Sequence, residues 1–337
     1  MKTISILIFS LINLAAFAQT DSAQFYFKKG LEEKNAKRFL VASKAFEKAI
    51  KFDASYTQAY LENGYTNLEM RKTDAAIINF TKVYELQPAN NAAIKELMDL
   101  YFNYRQYNKA TEFAGKCKDC PGTQRIIGMS LYNQEDYPKA EKALLTALSQ
   151  NPNDTEATYT LARTYLDMEE YRKAVPYYEK AVSMDKSKSL WMYELGILYF
   201  NLTNYKGAVG MLTSAAASGY VQNNDFNENL GYAMLYNGDY EKGEQLLFGI
   251  WERKPGNKEI LRDMAEVLYQ QKQYDRSLAY CQKLIDLEPG DAKALYQAGL
   301  NFQKKGNKDL GQQMCDKAIY MDPSLASLRR EKKMPGM

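Results

Sequence analysis

Small and apolar positions recur along this chain with a nearly constant period. The series is Gly30, Gly64, Met98, Gly128, Ala162, Gly196, Gly231, Ala265 and Gly299, with Met98 as its one large member. The successive spacings are 34, 34, 30, 34, 34, 35, 34 and 34 residues. A fixed period of this size is typical of a repeat array.

Each period contains two apolar stripes at helical spacing. In the period that begins near Thr155, the first stripe is Tyr159, Leu161, Ala162, Tyr165 and Leu166, and the second is Ala174, Tyr177, Tyr178, Ala181 and Val182. The polar segment DMEEYRK between them predicts a turn. Segments such as QNPND place a Pro that ends the second helix and an Asp that caps the next. The sequence therefore predicts an all-α chain of helix pairs.

This pattern resembles the tetratricopeptide repeat family. The resemblance rests on Leu161, Ala162, Tyr165, Ala174, Tyr178 and Ala181 in one unit, and on Leu195, Gly196, Tyr199, Ala208 and Ala215 in the next. It implies a right-handed α-solenoid of tandem helix-turn-helix units over residues 23–325. Nine units are expected to start near Ala23, Thr57, Asn91, Pro121, Thr155, Ser189, Asn224, Lys258 and Ala292.

The segment before the array predicts a secretory leader. Lys2 precedes the apolar run ISILIFSLINLAAFA, which ends in the small-x-small triplet Ala16-Phe17-Ala18. We expect a signal peptide over residues 1–18, cleaved near Ala18, and a short linker over 19–22; a retained anchor is the alternative. The mature chain would then be exported, periplasmic or secreted, without an integral membrane span. Residues 326–337 form a basic C-terminal tail.

Composition narrows the function classes. The chain has 337 residues, of which 46% are hydrophobic and 25% charged, and its net charge is only +3. Without a clustered basic excess, nucleic acid is not an expected partner. The chain contains no His, the commonest general base, and shows no phosphate loop, dinucleotide Gly pattern or nucleophile elbow. We expect no enzyme and no cofactor.

The family arrangement puts the first helix of each unit along a concave groove. Helical spacing aligns Arg125, Met129 and Tyr132; Tyr159, Arg163 and Leu166; Tyr193, Ile197 and Phe200; Glu228, Tyr232 and Leu235; and Arg262, Glu266 and Tyr269. Aromatic and Arg side chains suit an extended peptide, because aromatics bury large areas and Arg forms forked hydrogen bonds. The candidate partner-binding residues are Arg125, Tyr132, Tyr159, Arg163, Tyr193, Phe200, Tyr232, Arg262 and Tyr269. The alternative for each aromatic is packing between repeats.

Cys117 and Cys120 form a C-x-x-C pair in the short third unit. In an oxidising compartment a local disulfide is the preferred interpretation. The helix must then end or distort there, because helical Cβ atoms three residues apart are too distant for a disulfide. A zinc site would need two more ligands, and only the distant Cys281 and Cys315 remain. Those two thiols are interpreted as small buried hydrophobes.

Three functional classes remain. The preferred one is a non-enzymatic scaffold that binds a peptide segment or protein partner in the groove. The second is a structural subunit of a cell-envelope assembly or secretion complex, associated with a membrane and contacting partners through its convex face or its ends. The third is an enzyme or a small-ligand receptor. The position of exposed apolar patches separates the first two classes.

Overall fold

The computed structural model describes residues 21–118 and 120–330, so the predicted leader and the end of the basic tail lie outside it. The described residues form two compact units, and the boundary along the chain falls between Glu170 and Tyr171. Throughout them the regular structure is helical, without a strand. The predicted all-α fold of tandem helix pairs is therefore confirmed.

From residue 21 onward, the described part of the first unit contains nine helices. They are α1 (residues 21–35), α2 (Phe39–Phe52), α3 (Thr57–Glu69), α4 (Thr73–Leu86), α5 (Asn91–Asn103), α6 (Tyr107–Lys116), α7 (Thr123–Asn133), α8 (Tyr137–Gln150) and α9 (Thr155–Asp167). Odd-numbered helices are the first helices of their pairs, and even-numbered helices are the second. Within the units, first helices pack against the second helix that follows them, as α3 does against α4.

The second unit continues the same order. Its helices are α10 (Tyr171–Met184), α11 (Ser189–Asn201), α12 (Tyr205–Ala217), α13 (Asn224–Asn237), α14 (Tyr240–Arg253), α15 (Glu259–Gln270), α16 (Tyr274–Leu287), α17 (Ala292–Lys304) and α18 (Lys308–Met321). A 3₁₀ turn over Pro323–Leu325 and the short α19 (Ala326–Arg330) follow. Leu325 is 5% exposed and packs with Tyr296 and Ala318.

Caps fix where several first helices begin. The Asp154 carboxylate accepts a hydrogen bond from the Ala157 amide at 3.0 Å, and Asp291 accepts one from Ala294 at 2.9 Å. Each cap satisfies an amide that the helix itself leaves unpaired. The Pro-containing segments thus end one helix and start the next.

The two helices of a pair cross at the small residue that sets the sequence period. A Cβ on Gly64 would lie 2.6 Å from the Phe80 ring, and one on Gly196 would lie 2.8 Å from Leu212 Cγ. Both partners stand 16 residues after the glycine. Because no real Cβ tolerates such distances, the bulky second-helix residue occupies the space that glycine leaves.

The third pair reverses this arrangement of sizes. Its first helix carries Met98 at the crossing position, and the residue 16 positions later is Ala114. Both are 1% exposed in one hydrophobic cluster. Met98 departs from the small-residue pattern of the first helices. The small residue of this pair is Ala114 on the second helix, so the crossing again combines one large and one small side chain.

Every turn from a first to a second helix contains a left-handed residue. Seven turns use a residue with a Cβ, at φ between 57° and 61°: Lys37, Arg71, Arg105, Glu135, Glu169, Thr203 and Lys272. Gly238 and Gly306 hold the other two turns, at φ 91° and 99°. The left-handed region costs an L-residue about 1–2 kcal/mol, so seven of these turns store strain.

Replacing Glu135 by Gly should raise the free energy of unfolding by about 0.5 kcal/mol. Glycine removes the Cβ clash of the left-handed turn, and its greater unfolded-state entropy offsets part of that gain. The reverse change, Gly238→Ala, should lower stability by about 1 kcal/mol. Urea unfolding followed by circular dichroism measures both, and equal midpoints for wild type and Glu135→Gly would show that the strain of the turn is no larger than the entropic cost of glycine.

Within residues 21–118 and 120–330, no helix combines the length and apolarity needed to cross a membrane. Nor do three of their Cys, Asp or Glu side chains gather in a group that could hold a metal ion.

Candidate partner-binding surface

The predicted binding residues of the first unit connect α7 to α9. The Tyr132 hydroxyl donates to the Asp167 carboxylate at 2.8 Å, and the Arg163 guanidinium lies 5.7 Å from the Tyr132 ring centroid. Arg125 Nε lies 3.7 Å from the Asp154 carboxylate. Tyr159, on α9, is half-buried. These side chains therefore link neighbouring first helices and also leave part of their surface on that face.

In the second unit, Tyr193 starts a similar surface on α11. Its ring stacks on Tyr220 with centroids 4.4 Å apart, and the Asn229 amide donates to its hydroxyl at 3.1 Å. Tyr220 stands in the loop before α13, where most units carry a Pro-containing segment. Sequence reasoning did not select Tyr220 or Asn229, although an aromatic residue in a polar loop is a visible signal.

A cleft of about 290 Å³ lies farther along, between α11, α13 and α15. It is lined by Phe200, Tyr232, Tyr236, Asp263, Glu266, Val267 and Gln270. The Tyr232 hydroxyl donates to Asp263 at 3.4 Å, and the Phe200 and Tyr236 rings lie 5.8 Å apart in an edge contact. The structure thus brings two predicted residues, Phe200 and Tyr232, into one cavity.

The aligned position Leu235 is not part of this surface. Leu235 is fully buried, whereas the next residue, Tyr236, lines the cleft. The face of α13 runs from Glu228 through Tyr232 to Tyr236 in steps of four residues. A leucine gains more from complete burial, whereas a tyrosine keeps its hydroxyl near water.

The two remaining predicted residues lie on α15. Arg262 donates two hydrogen bonds to Asp291, at 3.0 and 3.1 Å, and also pairs with Glu259 at 3.3 Å. Tyr269 packs at a tilt against Tyr274, with centroids 5.7 Å apart. Arg262 thereby joins α15 to the cap of α17.

Burial shapes the titration of these groups. It raises the pKa of Tyr132, and the hydrogen bond to Asp167 adds to the shift. Burial also raises the pKa of Tyr232, together with the charges of Asp263 and Glu228. Both phenols therefore act as neutral hydrogen-bond donors at physiological pH.

The helix pairs of this chain match models of a known repeat family. One tetratricopeptide repeat model matches residues 131–175 and 234–323, and a second matches residues 159–220. Together they cover more than half of the chain. The chain belongs to the tetratricopeptide repeat family. Proteins of this family are protein-interaction scaffolds and are generally non-enzymatic, with neighbouring repeats supplying each other's core.

Curated relatives match parts of this tetratricopeptide chain. It is 26% identical over 163 residues to protein O-mannosyl-transferase TMTC1 of Homo sapiens. That match covers 48% of this chain and 18% of the relative. It is 22% identical over 229 residues to the peroxisomal targeting signal receptor of Kluyveromyces lactis. That match covers 56% of this chain and 40% of the relative. The chain spans less than half the length of these relatives.

Solved tetratricopeptide structures also resemble parts of this chain. YrrB, described as a TPR protein with an unusual peptide-binding site, is 25% identical with a TM-score of 0.40, covering 57% of this chain and 99% of that one. MamA is 21% identical with a TM-score of 0.43, and the match covers 48% of this chain and 96% of MamA.

The C-x-x-C pair lies in the connection between tetratricopeptide helices α6 and α7. Helix α6 ends at Lys116, Cys117 is extended, and the Cys117 and Cys120 sulfurs are at bonding distance with Cα atoms 5.7 Å apart. The Asn91 amide donates to the Lys118 carbonyl at 2.7 Å, which ties this connection to the start of α5. Cys281 and Cys315 are 0% and 2% exposed, and burial raises the pKa of the Cys281 thiol to about 12.

Thiol titration tests the predicted disulfide. Denatured, non-reduced protein should show two reactive thiols, and the same protein after reduction should show four, since Cys281 and Cys315 remain as thiols. Closing so small a loop is expected to stabilise the fold by about 2 kcal/mol in the chain-entropy treatment. Four reactive thiols before reduction would contradict the disulfide.

Proposed function

We propose that this chain is a non-enzymatic scaffold that binds an extended peptide segment or a protein partner along its first-helix face, the surface formed by the odd-numbered helices. The observation that carries the proposal is the cleft that joins Phe200, Tyr232 and Tyr236 across three successive first helices. An open cleft that crosses several helices fits an extended chain better than a compact substrate.

The side chains of this face suit such a ligand. Tyr232 and Tyr236 are half-buried, so their rings are held by packing while part of each remains accessible. Rings that are already ordered lose little rotamer freedom when a partner covers them. Asp263 and Gln270 lie beside them and offer a carboxylate and an amide to a partner's backbone or side chains.

Site-specific cross-linking tests the proposal. The photoreactive residue p-benzoylphenylalanine replaces Tyr236 in one variant and Tyr320 in the other. Tyr320 is the matched control, because it is also a tyrosine of the second unit but lies on second helix α18 and is 89% exposed. Irradiation of whole cells, followed by mass spectrometry, should identify a partner cross-linked through position 236. A partner recovered only through position 320 would contradict first-helix binding.

A second candidate function is a structural subunit of a cell-envelope assembly or secretion complex that uses its second-helix face or its ends. One observation favours it: most exposed large hydrophobic side chains of the described residues stand on even-numbered helices. They are Leu40, Val41, Phe52, Ile78, Leu145, Leu287, Leu310, Tyr320 and Met321. Single exposed apolar residues are ordinary in soluble proteins, so this observation ranks below the cleft.

The proposed compartment depends on the leader. We propose that residues 1–18 direct export and are removed near Ala18. N-terminal sequencing of the protein purified from its native cells should then begin at or close to Gln19. A mature protein that still starts at Met1 would contradict export by a cleaved signal peptide.

A further inference from the structure

The cleft between α11, α13 and α15 is acidic as well as aromatic. Asp263 and Glu266 line it from α15, and Glu228 stands one turn before Tyr232 on α13. Within the described part of the second unit, these three carboxylates form no ion pair. Their hydrogen-bond donors are uncharged: Tyr232 donates to Asp263 at 3.4 Å and Gln270 to Glu266 at 3.1 Å.

The nearest cations are directed elsewhere. Arg262 gives its hydrogen bonds to Asp291 and Glu259. Lys293 lines the neighbouring cavity, which it shares with Glu266, and makes no ion pair there within 4.0 Å. Among the described residues, the cleft therefore has negative charge and no basic lining residue.

The first-helix face of the first unit differs in this respect. Lys34 on α1 pairs with Glu62 on α3 at 2.6 Å, and Arg163 on α9 lies over the Tyr132 ring. There the chain places its own cations against carboxylates and aromatic rings. In the cleft of the second unit the same types of acceptor are present, and no described lining residue supplies a cation.

We infer that the cleft formed by Phe200, Tyr232, Tyr236, Asp263 and Glu266 binds a Lys or Arg side chain of an extended partner segment. This inference rests on the proposed function and specifies its ligand. A guanidinium or ammonium group can lie against the tyrosine rings while the two carboxylates accept its hydrogen bonds. Arg fits best, since its planar group can stack and form a fork at the same time.

The electrostatics of the cleft agree with this ligand. Burial raises the pKa of Glu228, and the charges of Asp225 and Asp263 raise it further. Burial likewise raises the pKa of Asp263, and the charges of Glu259 and Glu266 add to this, while the Tyr232 hydrogen bond and the charge of Arg262 offset only part of the rise. Carboxylates held together in this way repel one another, and a basic side chain placed between them relieves that repulsion.

Peptide selection separates this inference from the function on which it rests. Random peptides of about twelve residues, displayed on their encoding RNA, are selected on the full chain. Enrichment of sequences with Lys or Arg between apolar residues is expected. Enrichment of peptides without basic residues would leave peptide binding intact and overturn the charge inference. A selection that enriches no peptide would overturn the peptide-binding function itself, and the inference with it.

Binding to variants then locates the site. The enriched peptide is labelled with fluorescein and titrated by anisotropy with Asp263→Asn/Glu266→Gln, and with Glu252→Gln/Asp286→Asn as the control. The control also removes two exposed carboxylates of the second unit, but from α14 and α16. The first variant should bind about tenfold more weakly, with a shallower dependence on salt, and the control should bind as the wild type does. Equal affinities for both variants would overturn the inference.

Discussion

Replacing Gly64 by Met is expected to destabilise the protein by about 3 kcal/mol, through overpacking at the crossing of α3 and α4. The Phe80 ring already occupies the space 2.6 Å from where a Cβ would stand, and Phe80 is fully buried. Neither the ring nor the helix backbone can withdraw without loosening the whole pair. Urea unfolding monitored by circular dichroism measures the change.

The second half of this prediction is a rescue. Phe80→Ala alone should cost about 3–5 kcal/mol, because it leaves a cavity. The double variant Gly64→Met/Phe80→Ala reproduces the sizes found at Met98 and Ala114. It should lose about 1–3 kcal/mol less than the sum of the single variants. Strictly additive losses would show that the two positions do not share one space.

Asp291→Ala should also be strongly destabilising, at about 3 kcal/mol. The carboxylate is 6% exposed on its side chain, caps α17 through the Ala294 amide and accepts two hydrogen bonds from Arg262. Its removal leaves a helix start uncapped and a partly buried guanidinium without its main partner. The matched control is Asp154→Ala. That residue caps α9 in the same way, but its nearest Arg125 nitrogen is 3.7 Å away, so about 1 kcal/mol is expected.

The same pair gives the fold a pH dependence. Burial alone would raise the pKa of Asp291, but the Arg262 hydrogen bonds and the Ala294 amide more than offset it and hold the pKa below its usual range. A lowered carboxyl pKa contributes stability above the unfolded value, about 3.9, and loses it as the pH falls further. The difference in unfolding free energy between wild type and Asp291→Ala should therefore be constant near neutral pH and shrink below about pH 4. A difference that grows on acidification would contradict this assignment.

The repeat explains which parts of the fold the sequence could predict. The all-α architecture of helix pairs, and the family, could be predicted from the sequence because the same small, apolar and capping positions return with each period. The exact lining of the first-helix face could not. Leu235 and Tyr236 are adjacent and both apolar enough for a stripe, and only packing shows which one is fully buried.

Partnerships between repeats were also beyond the sequence. The Arg262–Asp291 contact joins residues 29 positions apart, which follows from how α15 lies beside α17 and not from any local pattern. Arg262 was predicted as a binding residue, and its role in ligand recognition stays a prediction beside this structural contact. The reciprocity of sizes at 16-residue separation, in contrast, can be followed along the sequence once the structure shows that these positions face each other.

The matched sizes at the crossings limit how such an array can be rearranged by gene recombination. A breakpoint at the turn of a pair would join one pair's first helix to another pair's second helix, and could set Met98 against Phe80 or Gly64 against Ala114. Breakpoints in the connections between pairs, such as residues 53–56, keep each fitted couple together. Duplication or recombination of a whole helix pair therefore keeps the packing between its two helices.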